Sequence, residues 1–292
     1  MAKATKVKRN VFMSAKSDVI FKLLFGNELN REFLIKFLMA VLKLPLDEYT
    51  DIQISDPQTK RKYKGDKLAI LDIKIKTATG KIINIEIQVQ TSPEMRERIV
   101  FYNAKMMTEQ LGSGDDYDLI KKTINIVITG EKFMPEHAQY HDKFTLFSAA
   151  TQTEFTDIVE IHTLELPKLP KESDGTDLWD WLEFINADSE EALAVLAQKS
   201  PQMKAPVDKL LEINQDDYTR AVFEAREKQR RDNASLQRRA RNEGREEGLK
   251  EGMKTGLKEA HISIAKNLLK MNMPIHDIIK ATGLTQKEIE AL

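Results

Sequence analysis

A mixed α/β domain followed by an all-α tail is the fold class that three features of the chain predict. Two runs of alternating residues, Leu68–Lys76 and Lys81–Gln90, flank the turn-forming stretch Thr77–Gly80, which is a β-hairpin pattern. Three further apolar runs, Thr123–Thr129, Phe144–Phe147 and Ile158–Leu164, read as strands. From Asp177 onward the pattern is helical almost to the end. Charged residues make up 31% of the chain and aromatic residues 7%, a balance that suits a helix-rich chain better than an all-β one.

In chain order, the first helix is expected over Lys16–Phe25 and breaks at Gly26–Asn27. A second runs over Arg31–Leu44, where Phe33, Leu34, Phe37, Leu38, Val41 and Leu42 form one apolar stripe and Pro45 ends it. After the hairpin, helical residues span Pro93–Leu111 and a glycine-rich turn follows at Gly112–Gly114. Breaks in the tail are expected near Pro201, Pro206, Pro274 and Gly283. The last residues read as three short helices, His261–Met271, Pro274–Ala281 and Thr285–Leu292, in a helix-turn-helix-like order. Thr285 and Glu288 form a capping box for the last of them.

The formal charge of −1 hides a segregated distribution. Residues 171–217 carry twelve acids against four bases, and residues 226–241 carry seven bases against two acids. Lys3, Lys6, Lys8 and Arg9 make the start basic. These shifts divide the chain into a core at 14–170, an acidic helical segment at 171–217, a basic, glycine-spaced segment at 218–260 and a small helical tail at 261–292. The absence of cysteine excludes disulfides, zinc knuckles, iron–sulfur clusters and thiol nucleophiles. No apolar run approaches the roughly 18 residues of a membrane span. No membrane partner and a cytoplasmic location are therefore expected.

The hairpin is where chemistry is most legible. In its second strand Ile83, Ile85, Ile87 and Val89 share one face, and Asn84, Glu86, Gln88 and Gln90 share the other. In the first strand Asp72, Lys74 and Lys76 share a face. A three-residue loop, Ala78-Thr79-Gly80, with Gly80 left-handed, places Asp72 directly opposite Glu86. A shift of one residue would send the two carboxylates to opposite faces. Opposed in this way, their Cβ atoms stand about 4.5–5.5 Å apart. Two carboxylates with a backbone carbonyl and waters suit Mg²⁺. The competing reading is a solvated strand face that carries an incidental Asp–Glu pair.

An ordered set of motifs extends the reading. Asp18-Val19-Ile20-Phe21-Lys22-Leu23-Leu24-Phe25-Gly26 comes first, followed by Leu71-Asp72-Ile73, Ile85-Glu86-Ile87-Gln88 and Arg98-Ile99-Val100-Phe101-Tyr102. Gln110-Leu111, Gly114, Tyr117 and Trp181-Leu182-Glu183-Phe184 come next. The tail adds Glu243-Gly244, Glu247-Gly248, Glu251-Gly252, Ile264-Ala265-Lys266, Thr282-Gly283-Leu284-Thr285 and Glu288-Ile289. This set resembles the Rpn-like recombination-promoting nuclease and transposase family of the PD-(D/E)XK nuclease superfamily in bacteria. The resemblance covers most of the chain from residue 14 onward.

The resemblance implies a restriction-endonuclease-like core at 14–170 and an Mg²⁺-dependent DNA endonuclease acting in transposition or recombination. It implies that Asp72 and Glu86 are metal ligands. Gln88 stands where the superfamily has lysine, so the amide would orient the attacking water without adding charge. Lys74, two residues after Asp72, is a candidate replacement cation, and Asp18 and Lys22 are candidates for the rim of the site. Arg98 is a candidate phosphate contact or a partner for a nearby acid. The alternative is a decayed nuclease that keeps DNA binding and assembly.

Other signals carry less. His137 and His141 have the spacing of a zinc-protease motif, but Ala138 stands where glutamate is needed, so they read as surface histidines. Trp179 and Trp181 read as packing anchors. The basic stretch 226–241 suits a phosphate backbone without base reading, or a solvated helix face. Gly244, Gly248, Gly252 and Gly256 recur every fourth residue. Each costs a helix about 1 kcal/mol relative to alanine. A close-approaching second chain would offset that cost, which predicts a homo-oligomer; a flexible linker is the other reading.

Overall fold

At the centre of the computed structural model, which describes residues 11–55 and 72–292, lies a six-stranded sheet of order β1-β2-β3-β4-β6-β5. The strands are β1 (Gln53–Ser55), β2 (Ile73–Lys76), β3 (Ile82–Gln88), β4 (Thr123–Thr129), β5 (His141–Phe147) and β6 (Glu154–Glu165). The β3–β4 and β4–β6 pairs are parallel and the others antiparallel. A parallel neighbour needs a long crossover, and between β3 and β4 the helix α3 (Met95–Thr108) supplies it. Every residue of β4 is buried, as expected of an inner strand covered on both faces.

The hairpin takes the expected register. Ile73 pairs with Ile85 and Lys74 with Asn84, and Thr77 N donates to Lys81 O at 3.0 Å across the loop. Gly80 sits at φ +92°, a conformation that a side chain would strain. The ladder ends at Ile73–Ile85, and counted one step outward Asp72 falls beside Glu86, where its side chain accepts from the Ile87 N–H at 3.1 Å. Residues 68–71 of the expected first strand, and the basic residues 3–9, lie outside the described residues.

One face of the sheet presents Ile83, Ile85, Ile124, Ile126 and Ile128 to the main core. Helices α1 (Asp18–Phe25), α2 (Arg31–Val41) and α4 (Asp177–Asn186) contribute to that core, with Phe25, Phe37 and Trp181 in mutual ring contact at 5.4–6.1 Å. Trp179 and Trp181 are packing anchors, both buried. The opposite face lies under α3, where Met95 and Ile99 pack on Val127 and Asn84 donates to Asn125 at 2.9 Å. The polar side of β3 is therefore interior: Asn84 and Glu86 are buried. That overturns the reading of a solvated strand face.

Four other expectations need correction. The chain has an additional short strand, β1, with no pattern long enough to announce it. Strands β5 and β6 begin earlier than the apolar runs that marked them. Pro206 does not break a helix but sits in the first turn of α6 (Lys204–Gln215), after α5 (Glu190–Lys199) and the short 3-10 turn Pro201–Met203. Proline is tolerated there because first-turn N–H groups have no intrahelical acceptor. His137 and His141 are half-buried rather than surface groups: Nδ1 of His137 meets Asp142 at 2.9 Å, and Nε2 of His141 meets Nδ1 of His162 at 2.8 Å. Burial, reinforced by His162, pushes His141 down to about 4.

The chain divides into two compact units between Ala225 and Arg226. Helix α7 (Asp217–Lys270) is continuous for 54 residues, so the expected helix His261–Met271 is the end of a longer one. The four glycines are helical, which excludes the flexible-linker reading. Within the second unit, Ala265 of α7 packs with Ile278 of α8 (Ile275–Thr282) and with Ile289 of α9 (Gln286–Glu290). Gly283 ends α8 in the left-handed conformation, and the Thr285–Glu288 capping box starts α9.

Candidate active site

Asp72 lies just before β2, and Glu86 is the fifth residue of β3. Asp72 accepts from the backbone N–H of Ile87 through Oδ2 at 3.1 Å. This bond ties the incoming end of β2 to β3 one step beyond the last ladder pair. The other oxygen, Oδ1, meets Lys22 Nζ of α1 at 3.0 Å. Lys22 is thus drawn to the carboxylate it was expected to border, and Asp18 stands one turn earlier as the first residue of α1.

Glu86 is 4% exposed. Its Oε1 accepts from Arg98 Nη2 at 2.8 Å and from Gln88 Nε2 at 2.7 Å. Burial is the largest influence on this carboxyl and pushes it up to about 6; Asp72 pushes the same way, against Arg98, Gln88 and Lys22. A buried carboxylate beside a second carboxylate is costly to charge unless a cation sits close by. The donor set fits a hard divalent ion: two neighbouring carboxylates that offer oxygen ligands only. Among the described residues no cluster of three or more His, Cys, Asp or Glu side chains is assembled, so the protein would supply two carboxylates and leave the rest to backbone and water.

Arg98 follows one turn of α3 before Tyr102, and its guanidinium carbon lies 5.9 Å from the tyrosine ring. Burial first and the Glu86 charge second hold the Tyr102 hydroxyl above its usual range. Tyr102 closes the Arg98–Tyr102 motif without a role assigned to it, although its i,i+4 spacing from Arg98 is a usable signal. Lys74 is placed differently from the candidate role it was given. Its Nζ pairs with Glu109 at the end of α3, at 2.8 Å. The structure therefore groups Asp72, Glu86, Gln88, Lys22 and Arg98, with Lys74 engaged farther along the strand.

These five side chains come from α1, the hairpin and α3, and they alternate in charge: Lys22 on Asp72, Arg98 on Glu86. Such a set can hold a cation and contact an anionic ester at once. Among known proteins, the family described as PD-(D/E)XK nuclease family transposase matches residues 15–240. No curated protein and no solved structure matches the chain.

Proposed function

The chain belongs to the PD-(D/E)XK nuclease family of transposases, and we propose that it is an Mg²⁺-dependent DNA endonuclease that hydrolyses phosphodiester bonds in transposition or recombination. The observation that carries this reading is the opposed Asp72–Glu86 pair, one member of which is buried and raised to about 6. Asp72 and Glu86 would hold the ion, which when bound polarises the phosphate and activates water.

The remaining roles belong to the protein's own groups. The Gln88 amide, already turned toward Glu86, orients the attacking water. Lys22 supplies the positive charge that a strand lysine would give, and Arg98 keeps Glu86 in place. Plasmid nicking by the purified full chain with Mg²⁺, against Asp72→Ala, tests the reading. Cleavage that persists unchanged in the variant would assign the activity elsewhere.

Gln88 offers a separate prediction. Gln88→Lys restores a cation near the ester and is expected to keep or raise turnover. Gln88→Leu can neither orient water nor donate to Glu86 and should lower turnover about a hundredfold. Equal single-turnover rates for the three proteins would place Gln88 outside the chemistry.

We also propose that the active form is a homo-oligomer joined through α7. Leu249, Met253 and Leu257 are each more than half exposed and run beside Gly248, Gly252 and Gly256. A Cβ built on any of the four glycines meets no atom within 4 Å. An apolar stripe beside a smooth glycine track suits a second helix at close range.

A further inference from the structure

The face of β2 that begins with Asp72 continues through Lys74 and Lys76 to the hairpin tip. There it opens into a groove of about 540 Å³, edged by Lys76, Gly80, Gln110 and Lys121 and floored by the Lys74–Glu109 pair. The groove is held firmly. Gln110 clamps the backbone of Lys121 from both sides, Oε1 accepting from its N–H at 2.7 Å and Nε2 donating to its carbonyl at 3.0 Å. Lys76 and Lys121 are both exposed. They converge on Gly80: a Cβ built there would lie 3.4 Å from Lys121 Cγ and 3.8 Å from Lys76 Cε. Glu109 is occupied by Lys74, so the groove presents two cations on a rigid frame.

We infer that this groove grips the phosphate backbone of the nucleic-acid substrate beside the scissile bond. Lys76 lies four strand residues from Asp72, about 13 Å at the usual rise. A DNA strand carries one phosphate per about 3.4 Å of axis, so a backbone held at Asp72 reaches the groove within a few nucleotides. Among the described residues no aromatic side chain lines the groove, and lysine ammonium groups act as point charges without base geometry. The grip is therefore electrostatic and independent of sequence. This inference rests on the nuclease reading of the adjacent site.

Binding of a short labelled DNA duplex by the full chain in EDTA, followed by anisotropy across a salt series, tests the groove apart from that reading. Lys76→Gln with Lys121→Gln should weaken binding about tenfold at low salt and reduce the log–log salt slope by about 1.8, two phosphate contacts' worth. Lys36→Gln with Lys209→Gln, on α2 and α6, should leave the slope unchanged. In cleavage assays the loss from the groove pair should fall on KM rather than kcat. A wild-type slope in the groove variant overturns the inference even if the protein cuts DNA. A reduced slope in a protein that never cuts upholds the groove and removes the nuclease reading instead.

Discussion

Glu86→Gln is expected to abolish cleavage and, at the same time, to raise the melting temperature. The two effects share a cause. A carboxyl whose folded-state pKa exceeds its unfolded value takes up protons on folding. Its stabilising contribution is present below about 4.5 and is lost as pH rises through about 6. At neutral pH the charged Glu86 therefore costs the fold about 2 kcal/mol, since each tenfold change in proton affinity corresponds to about 1.4 kcal/mol. Glutamine keeps the shape and mimics the protonated acid. In metal-free buffer at neutral pH the variant should melt about 4–8 °C higher. That gain should shrink below pH 6 and vanish below about pH 4.5.

Cleavage by Glu86→Gln and by Asp72→Asn should fall by about a thousandfold or more, because each removes a charge from the ion-binding pair. Stability gained by removing a functional charge is the usual trade at such sites. A variant that loses stability uniformly across pH 4–8, or that cuts at the wild-type rate, would contradict this assignment.

The hairpin register was legible because it is local: a three-residue loop ending in left-handed Gly80 sets Asp72 against Glu86 without help from the rest of the chain. Thr123–Thr129 was legible because a strand covered on both faces is written as a nearly continuous apolar run. What covers the polar side of β3 was not legible. Asn84-Ile85-Glu86-Ile87-Gln88 alternates as a half-exposed strand would, but α3 and the parallel neighbour β4 bury Asn84 and Glu86. Alternation reports which residues share a face, not whether that face meets water.

The ion pairs were out of reach for the same reason. Lys22 finds Asp72 across 50 positions of chain, and Lys74 pairs with Glu109, which caps the C-terminal end of the crossover helix. Neither spacing is periodic. The glycine row shows the converse limit. Helix propensity alone argues for a break at four such residues, yet α7 runs through them, with i,i+4 ion pairs Arg239–Glu243 just before the row and Glu246–Lys250 across Gly248.

Those glycines set up the other large effect. A single metal site cuts one strand, so concerted double-strand breaks require two chains. Along α7 residues 243–251 carry four acids against two bases, and Lys254 and Lys258 follow before Glu259; in the proposed dimer, antiparallel pairing would set the acidic stretch near those lysines and join the Leu249–Met253–Leu257 stripes. Replacing those three residues together with glutamate should convert the assembly to monomer in sedimentation, preserve nicking and eliminate paired cuts. Replacing all four glycines with alanine gives a test of opposite sign. Alanine raises helix propensity by about 1 kcal/mol per position, so an isolated helix can only gain. If a second backbone lies against the track, the added methyl groups hold it off, and association weakens while α7 itself becomes more helical. A wild type that sediments as a monomer at micromolar concentration, alone and on DNA, would dissolve the seam and leave the glycines without a partner.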